Sequence, residues 1–282
     1  MEEDCGLFGP GSVTWRTNIE LVMWIGGLRA LYLQSLHPKV MRGTYQNSAL
    51  FDKKKGWARF VRTAQFVHVR TYGTTAEAEK AGARVRAIHA GLTGHDPDTG
   101  RDFRLDEPDG LLWVHCAEVD SYVDVARRAG VLRSAGEADA YVAEHRATAE
   151  LVGIERGAAP SSTLELGDYF RLIRPELYAC TEAIRGLWNS FNPPVPRRLA
   201  ALRLAVPPAN LLALATLPGW AKRKLGVPNP PGASAMATAQ LRLVRAASAA
   251  TRRQSTEEVI AEAREAAHQM SGGTFTSPLL PA

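Results

Sequence analysis

Two histidines stand where helical periodicity asks for apolar side chains. In "VRAIHAG", His89 shares a face with Val85 and Leu92, and Ala81 and Ala78 lie one and two turns before Val85. Small residues there let something flat approach the helix. A neutral imidazole on such a face is a good axial ligand for iron. It is also what a core histidine bonded to a carbonyl looks like. His115, in "LLWVHCAEVDSYV", repeats the pattern among Leu111, Leu112, Val119 and Tyr122. It serves either as core or as a residue that orients a ligand from behind.

A third constellation lies in "RFVRTAQFVHVR". Arg59, Arg62, Thr63, Phe66 and Arg70 are spaced by three or four residues along one helical stripe. Guanidiniums beside a hydroxyl can hold a carboxylate or a phosphate. An ordinary solvent face of arginines has the same spacing.

Other chemistries lack their residues. Glu265 and His268 give one Glu-x-x-His, on a polar C-terminal helix, where a di-iron bundle needs two and further glutamates. No His-Glu-x-x-His, Gly-x-Ser-x-Gly elbow or phosphate-binding glycine loop occurs.

The elements that must position these residues read as helices. Sustained alternation and Asn-Gly turns are missing. Apolar periodicity predicts helices from Ile19 to Leu36, Trp57 to Thr71, Thr75 to Gly91 or Gly94, Gly110 to Ala129, and Glu137 to Val152. Further helices are expected from Leu164 to Asn189 with a bend near Pro175, Leu199 to Leu217, Ala235 to Ala250, and Ser255 to Met270. "GTYQNS" and "HDPDTGRDFRLDEPDG" read as loops, and "LPGW" and "GVPNPPGAS" as breakers. The expectation is all-α: a single globular multi-helix domain over residues 1–270, of about eight to ten helices, with residues 271–282 as a tail.

Composition narrows the class. The 282 residues are 45% hydrophobic and 22% charged, enough to bury a core. The net charge of +5 comes from scattered basic residues that favour arginine. They are not interleaved with aromatics as a single-strand binder requires, so no nucleic-acid partner is expected. Cys5, Cys116 and Cys180 are odd in number and far apart, which excludes a disulfide scaffold and a thiolate zinc site. The acidic start "MEEDCG" lacks a signal peptide's regions, and with the free thiols this predicts a cytoplasmic protein. "IELVMWIGGLRALYLQSL" carries Glu20 and Arg29 and is too interrupted to span a bilayer. That helix and "LLALATLPGW" either pack in the core, line a substrate tunnel or touch a membrane peripherally.

The order of the pieces resembles a known family. "GPGSVTWR", the apolar helix ending "LQSLHP", "RFVRT", "YGTTAEAE", "VRAIHAGLTG", "LLWVHCAEVDSY", "ELVGIERGAAPSST" and "LPGWAKRKLG" follow one another over most of the chain. The sequence is similar to the family of the fungal oxygenase of mycophenolic acid biosynthesis and the catalytic domain of latex clearing protein, a rubber oxygenase. The resemblance implies an all-α fold around one b-type haem, whose iron is held by a helix histidine. On that alignment His89 is the iron ligand, and Arg59 and Thr63 match an arginine and threonine near the haem. His115 matches a second recurrent histidine, and Arg59 or Arg70 would pair with haem propionates. Where rubber-cleaving relatives have a lysine just before the threonine, this chain has Arg62. A guanidinium does not readily lose its proton, so an iron-ligating side chain is not implied there.

The resemblance implies an oxygenase acting with O2 on a small apolar alkene, an isoprenoid- or polyketide-like chain, and yielding two carbonyl fragments. Arg62 and Thr63 would polarise bound oxygen. The same residues also serve a haem carrier or sensor without turnover, and a cofactor-free helical interaction protein remains the third reading.

Overall fold

The computed structural model describes residues 4–52 and 54–272. It is all-α, one domain of fourteen α-helices among the described residues, with one small hairpin. The first helices are α1 (Val13–Asn18), α2 (Met23–Gln34), α3 (Pro38–Asn47), α4 (Gly56–Tyr72) and α5 (Thr75–Ala90). After β1 (Thr93–Asp96) and β2 (Arg101–Arg104) come α6 (Pro108–Ala129), α7 (Ala135–Glu144), α8 (Arg146–Leu151) and α9 (Thr163–Ile173). The chain then forms α10 (Thr181–Ser190), α11 (Leu202–Thr216), α12 (Gly219–Leu225), α13 (Ala233–Thr251) and α14 (Thr256–Ser271). The expected tail beyond residue 272 lies outside the described residues.

The long helices start and stop for local reasons. Thr74 closes a capping box with Glu77 at the start of α5, and Ser255 does the same with Glu258 for α14. Pro108 opens α6, and Gly130 ends it at φ +74°.

α6 is the centre of the core. It presents Trp113, Cys116, Ala117, Val119 and Val125 as buried residues, and α2 lies along it. Gly26 allows that approach, because a Cβ there would stand 2.7 Å from the Tyr122 ring. Buried Arg29 of α2 then reaches Asp120 at 2.7 Å and Ser121 at 2.8 Å. The Trp113 indole donates to Gln34 O, and the Gln34 amide donates back to Val114 O. A smaller cluster joins α1, α4 and α14 through Trp15, Tyr72 and Ala267. Among the described residues no helix is long and apolar enough to cross a membrane.

Several expected boundaries move. The helix from Ile19 to Leu36 starts at Met23, and "GTYQNS" belongs to α3, which Pro38 opens. The stretches from Glu137 and from Leu164 each divide into two helices, and α12 forms between the two breakers. The polar loop after α5 contains an antiparallel hairpin pairing Thr93 with Arg104 and Asp96 with Arg101. No alternating apolar pattern announces it. Its turn is made by Asp96, which accepts from Asp98 N at 3.1 Å, Thr99 Oγ1 at 2.9 Å and Gly100 N at 2.8 Å. Gly100 sits at φ +68°, and buried Arg42 pairs with Asp96 from α3.

Two consequences for stability are measurable. A Cβ on Gly82 would stand 2.6 Å from the Leu151 carbonyl of α8. Gly82→Ala is expected to destabilise the chain by about 1–3 kcal/mol in urea unfolding, since main chain must move. Buried His145, between α7 and α8, donates from Nδ1 to Tyr141 O at 2.9 Å and stacks on the Tyr141 ring. Burial, then the Arg70 charge, holds its pKa well below the usual histidine value. Below about pH 6.5 the unfolded chain takes a proton there that the folded chain refuses, so stability falls with pH by up to about 1.4 kcal/mol per unit. Unfolding of His145→Gln between pH 7.5 and 5 should show a shallower slope than the native sequence.

Candidate functional site

A cavity of about 2980 Å³ runs between α2, α4, α5, α6, α10 and α11. An ordinary ligand pocket holds roughly 300–1,000 Å³. Every residue from Arg59 to Tyr72 borders it, and α4 also packs on α14 and α5. The expected stripe from Arg59 to Arg70 lies on one helix and borders the cavity throughout. It divides into two pairs.

The first pair is Arg59 and Thr63. The Arg59 guanidinium donates to Thr63 Oγ1, and that hydroxyl donates to Arg59 O at 3.2 Å. Burial and then the neighbouring Arg62 push the Arg59 pKa down. Arg62 and Thr63 are exposed toward the cavity. Trp24 of α2 and Trp57 flank this end through Phe60, with ring centroids 6.4 and 5.7 Å away.

His89 belongs to the same end. It is half-buried and borders the cavity with Ala81, Val85 and Ile88. Ala78 does not border it; that residue and Gly82 are buried and seat α5 in the protein. Burial, then the Arg59 charge, holds the His89 pKa below the ordinary value, with Asp106 opposing. The imidazole is neutral near pH 7. Its Nδ1 is buried and has no partner among the described residues.

The second pair is Phe66 and Arg70. The Arg70 guanidinium lies 5.4 Å from the Phe66 ring centroid and makes a buried ion pair with Glu118 of α6. That pairing engages the cation expected to be available for an anion. His115, one turn before Glu118, is 6% exposed and borders the cavity. Burial, then the Arg70 charge, drives its pKa down to about 3. The structure thus brings Arg59, Thr63 and His89 together, and places His115 with Arg70 and Glu118 elsewhere on the cavity wall.

Histidine bonding separates these two from the rest. His68 bonds Ala263 O, His95 Asp102, His145 Tyr141 O and His268 Glu77, while His37 accepts from Val40 N. Among the described residues His89 and His115 make no such bond, and both border the cavity. No group of three His, Cys, Asp or Glu among those residues could hold a bare metal ion. A metal held here would bring most of its own donors.

Sequence reasoning missed Glu118, and a signal was present: it follows His115 by three residues, on the same stripe. It also missed a polar knot in the apolar wall. The Tyr32 hydroxyl donates to Asn210 Oδ1 at 2.6 Å, and Asn210 Nδ2 donates to Ser190 O at 2.7 Å. Burial pushes the Tyr32 phenol up to about 12. No local pattern links residues so far apart in sequence.

Comparison with known proteins agrees with the resemblance. The family described as "ER-bound oxygenase mpaB/B'/Rubber oxygenase, catalytic domain" matches residues 15–251. No curated protein and no solved structure matches the chain.

The Arg70–Glu118 pair gives a test of how the site is held. Glu118→Ala leaves a buried guanidinium unpaired and is expected to cost about 3–5 kcal/mol in urea unfolding. Arg70→Met with Glu118→Leu removes both charges and should recover most of that loss.

Proposed function

Because the chain belongs to the mpaB and rubber oxygenase catalytic-domain family, we infer that it is a haem-dependent oxygenase. Its substrate on this reading is an apolar alkene, isoprenoid- or polyketide-like, whose carbon–carbon double bond is cleaved with dioxygen. The observation that carries the haem assignment is His89: a neutral imidazole on the cavity wall whose ring makes no hydrogen bond among the described residues.

The residues present fit the group. A porphyrin supplies four donors to its iron, so one protein imidazole is enough, and the cavity exceeds an ordinary pocket. His89 would hold the iron through Nε2, because Nδ1 is enclosed. Arg59 and Arg62 are the cations at that end for haem carboxylates. Haem bound there supplies the activation of dioxygen.

The chain's residues supply the rest. Arg59 donates to Thr63 Oγ1, whose own proton goes to Arg59 O, so the remaining N–H groups of the guanidinium are the hydrogen-bond donors of this pair. Arg62 keeps its positive charge at that end throughout turnover. Trp24, Phe60, Val61 and Leu111 offer apolar contact to a hydrocarbon and keep water away. The balance closes without an external reductant: each alkene carbon receives one oxygen atom, and two carbonyl groups form.

An absorption spectrum is the first test. Protein expressed with a haem precursor should show a Soret band at about one haem per chain. His89→Ala, folded by circular dichroism, should lose it, while His115→Ala should keep it. No Soret band after added hemin overturns the reading. Loss in His115→Ala and retention in His89→Ala moves the ligand to α6. Haem without carbonyl products from any isoprenoid polyene under oxygen leaves a carrier or sensor.

A further inference from the structure

Large apolar side chains stand in water on one side of the molecule. Trp188 of α10 is 69% exposed, Leu204 and Leu211 of α11 are 83% and 60% exposed, and Met236 and Leu243 of α13 are 65% and 69% exposed. These helices adjoin. Asn210 of α11 bonds Ser190 of α10 and accepts from Tyr32 of α2, and α11 packs on α13. Exposed Leu21 and Trp24 extend the patch toward α2. Trp188, Leu211, Met236 and Leu243 also border the cavity, which marks this face as a place where it opens.

The same stretch has an extreme charge. Residues 183–256 contain eleven lysines and arginines and no aspartate or glutamate. The chain's net +5 therefore divides into +11 over that stretch and −6 over everything else. Scattered as the basic residues are, the acidic ones are absent from this part. Glu20 reaches in from outside it to pair with Arg245 and Arg252. Arg185, Arg197, Arg198 and Arg203 are exposed and lie close to Trp188 or Leu204 in the sequence.

We propose that the face formed by α10, α11, α13 and the outer side of α2 docks peripherally on an anionic lipid surface, with the cavity opening toward the bilayer. Exposed leucine and tryptophan insert below the headgroups, and arginines bury their stems while keeping their charge among lipid phosphates. A second copy on this face would set the exposed Arg185, Arg197, Arg198 and Arg203 against their own like charges. A nucleic acid would meet the arginines but leave Leu204 in water. Among the described residues no helix is able to span a bilayer, so the contact is with its surface. Where the oxygenase reading also holds, an apolar substrate enters from the lipid without crossing water. Docking itself does not require haem.

The test is flotation of the full chain, with and without haem, on vesicles of phosphatidylcholine alone and of phosphatidylcholine with phosphatidylserine at about 2:1. Binding to the mixed vesicles is expected, weakening at high salt. Arg197→Glu with Arg198→Glu should lower the partition coefficient by about thirtyfold or more. Leu204→Asp with Leu243→Asp, both outside the core, should lower it by about tenfold or more. No flotation on the mixed vesicles overturns the proposal. So does binding indifferent to the leucine changes, which is adsorption of a basic protein alone. So does a dimer that Leu204→Asp dissociates, or DNA binding through these arginines in place of vesicle binding. Failure to bind haem leaves flotation unchanged, and failure to float leaves the Soret band unchanged.

Discussion

Arg70 and Glu118 meet with both charged groups largely out of water, and the cavity is arranged around that meeting. α4 borders the cavity along most of its length and packs on α14 and α5. The ion pair ties its C-terminal part to α6, the most buried helix of the core. The Trp15 indole adds a second tie, donating to Thr71 O at 2.7 Å. The position of Thr63 and Arg59, two turns or more before Arg70, follows from these anchors. A buried pair of this kind adds little net stability compared with apolar packing. Its value lies in geometry, since a guanidinium has no comfortable second arrangement in that space.

The same positive charge sets the protonation of the imidazoles around it. Arg70 opposes a proton on both His115 and His145, and Arg59 opposes one on His89. Burial acts in the same direction and is the larger cause in all three. An imidazolium cannot ligate a metal, whereas a neutral ring can. His89 and His115 are thus kept as potential donors by burial and by the neighbouring arginines. The separation between them is structural: His89 rides on α5, which is seated through Ala78 and Gly82, and His115 is embedded in α6.

The fold was largely legible because its signals are local. Apolar periodicity located α4, α5, α6, α13 and α14 to within a few residues, since caps such as Thr74, Ser255 and Gly130 sit beside the pattern they end. What escaped was set by partners distant in sequence. The hairpin is held by Arg42, some fifty positions from Asp96, and its residues are too polar to show alternation. The site was legible in its membership and not in its pairing. Helical spacing put Arg59 and Arg70 on one stripe, yet only the approach of α6 shows that Glu118 engages Arg70. Ala78 was read as making room for a ligand, and its small size instead accommodates protein.

Burial and access pull in opposite directions in such a molecule. Burial keeps His89 and His115 neutral on the cavity wall, and a cavity that admits a hydrocarbon must open. In water an opening rimmed by leucine and tryptophan would be an exposed apolar patch and a route for solvent. The polar knot of Tyr32, Asn210 and Ser190 holds α2, α10 and α11 together just behind that rim, so the opening is built rather than frayed. Around that rim exposed arginines outnumber acidic residues, and Glu20 is already paired with Arg245 and Arg252. That combination resolves the conflict when the medium outside the opening is itself apolar beneath an anionic layer. The opening then gives onto hydrocarbon rather than water.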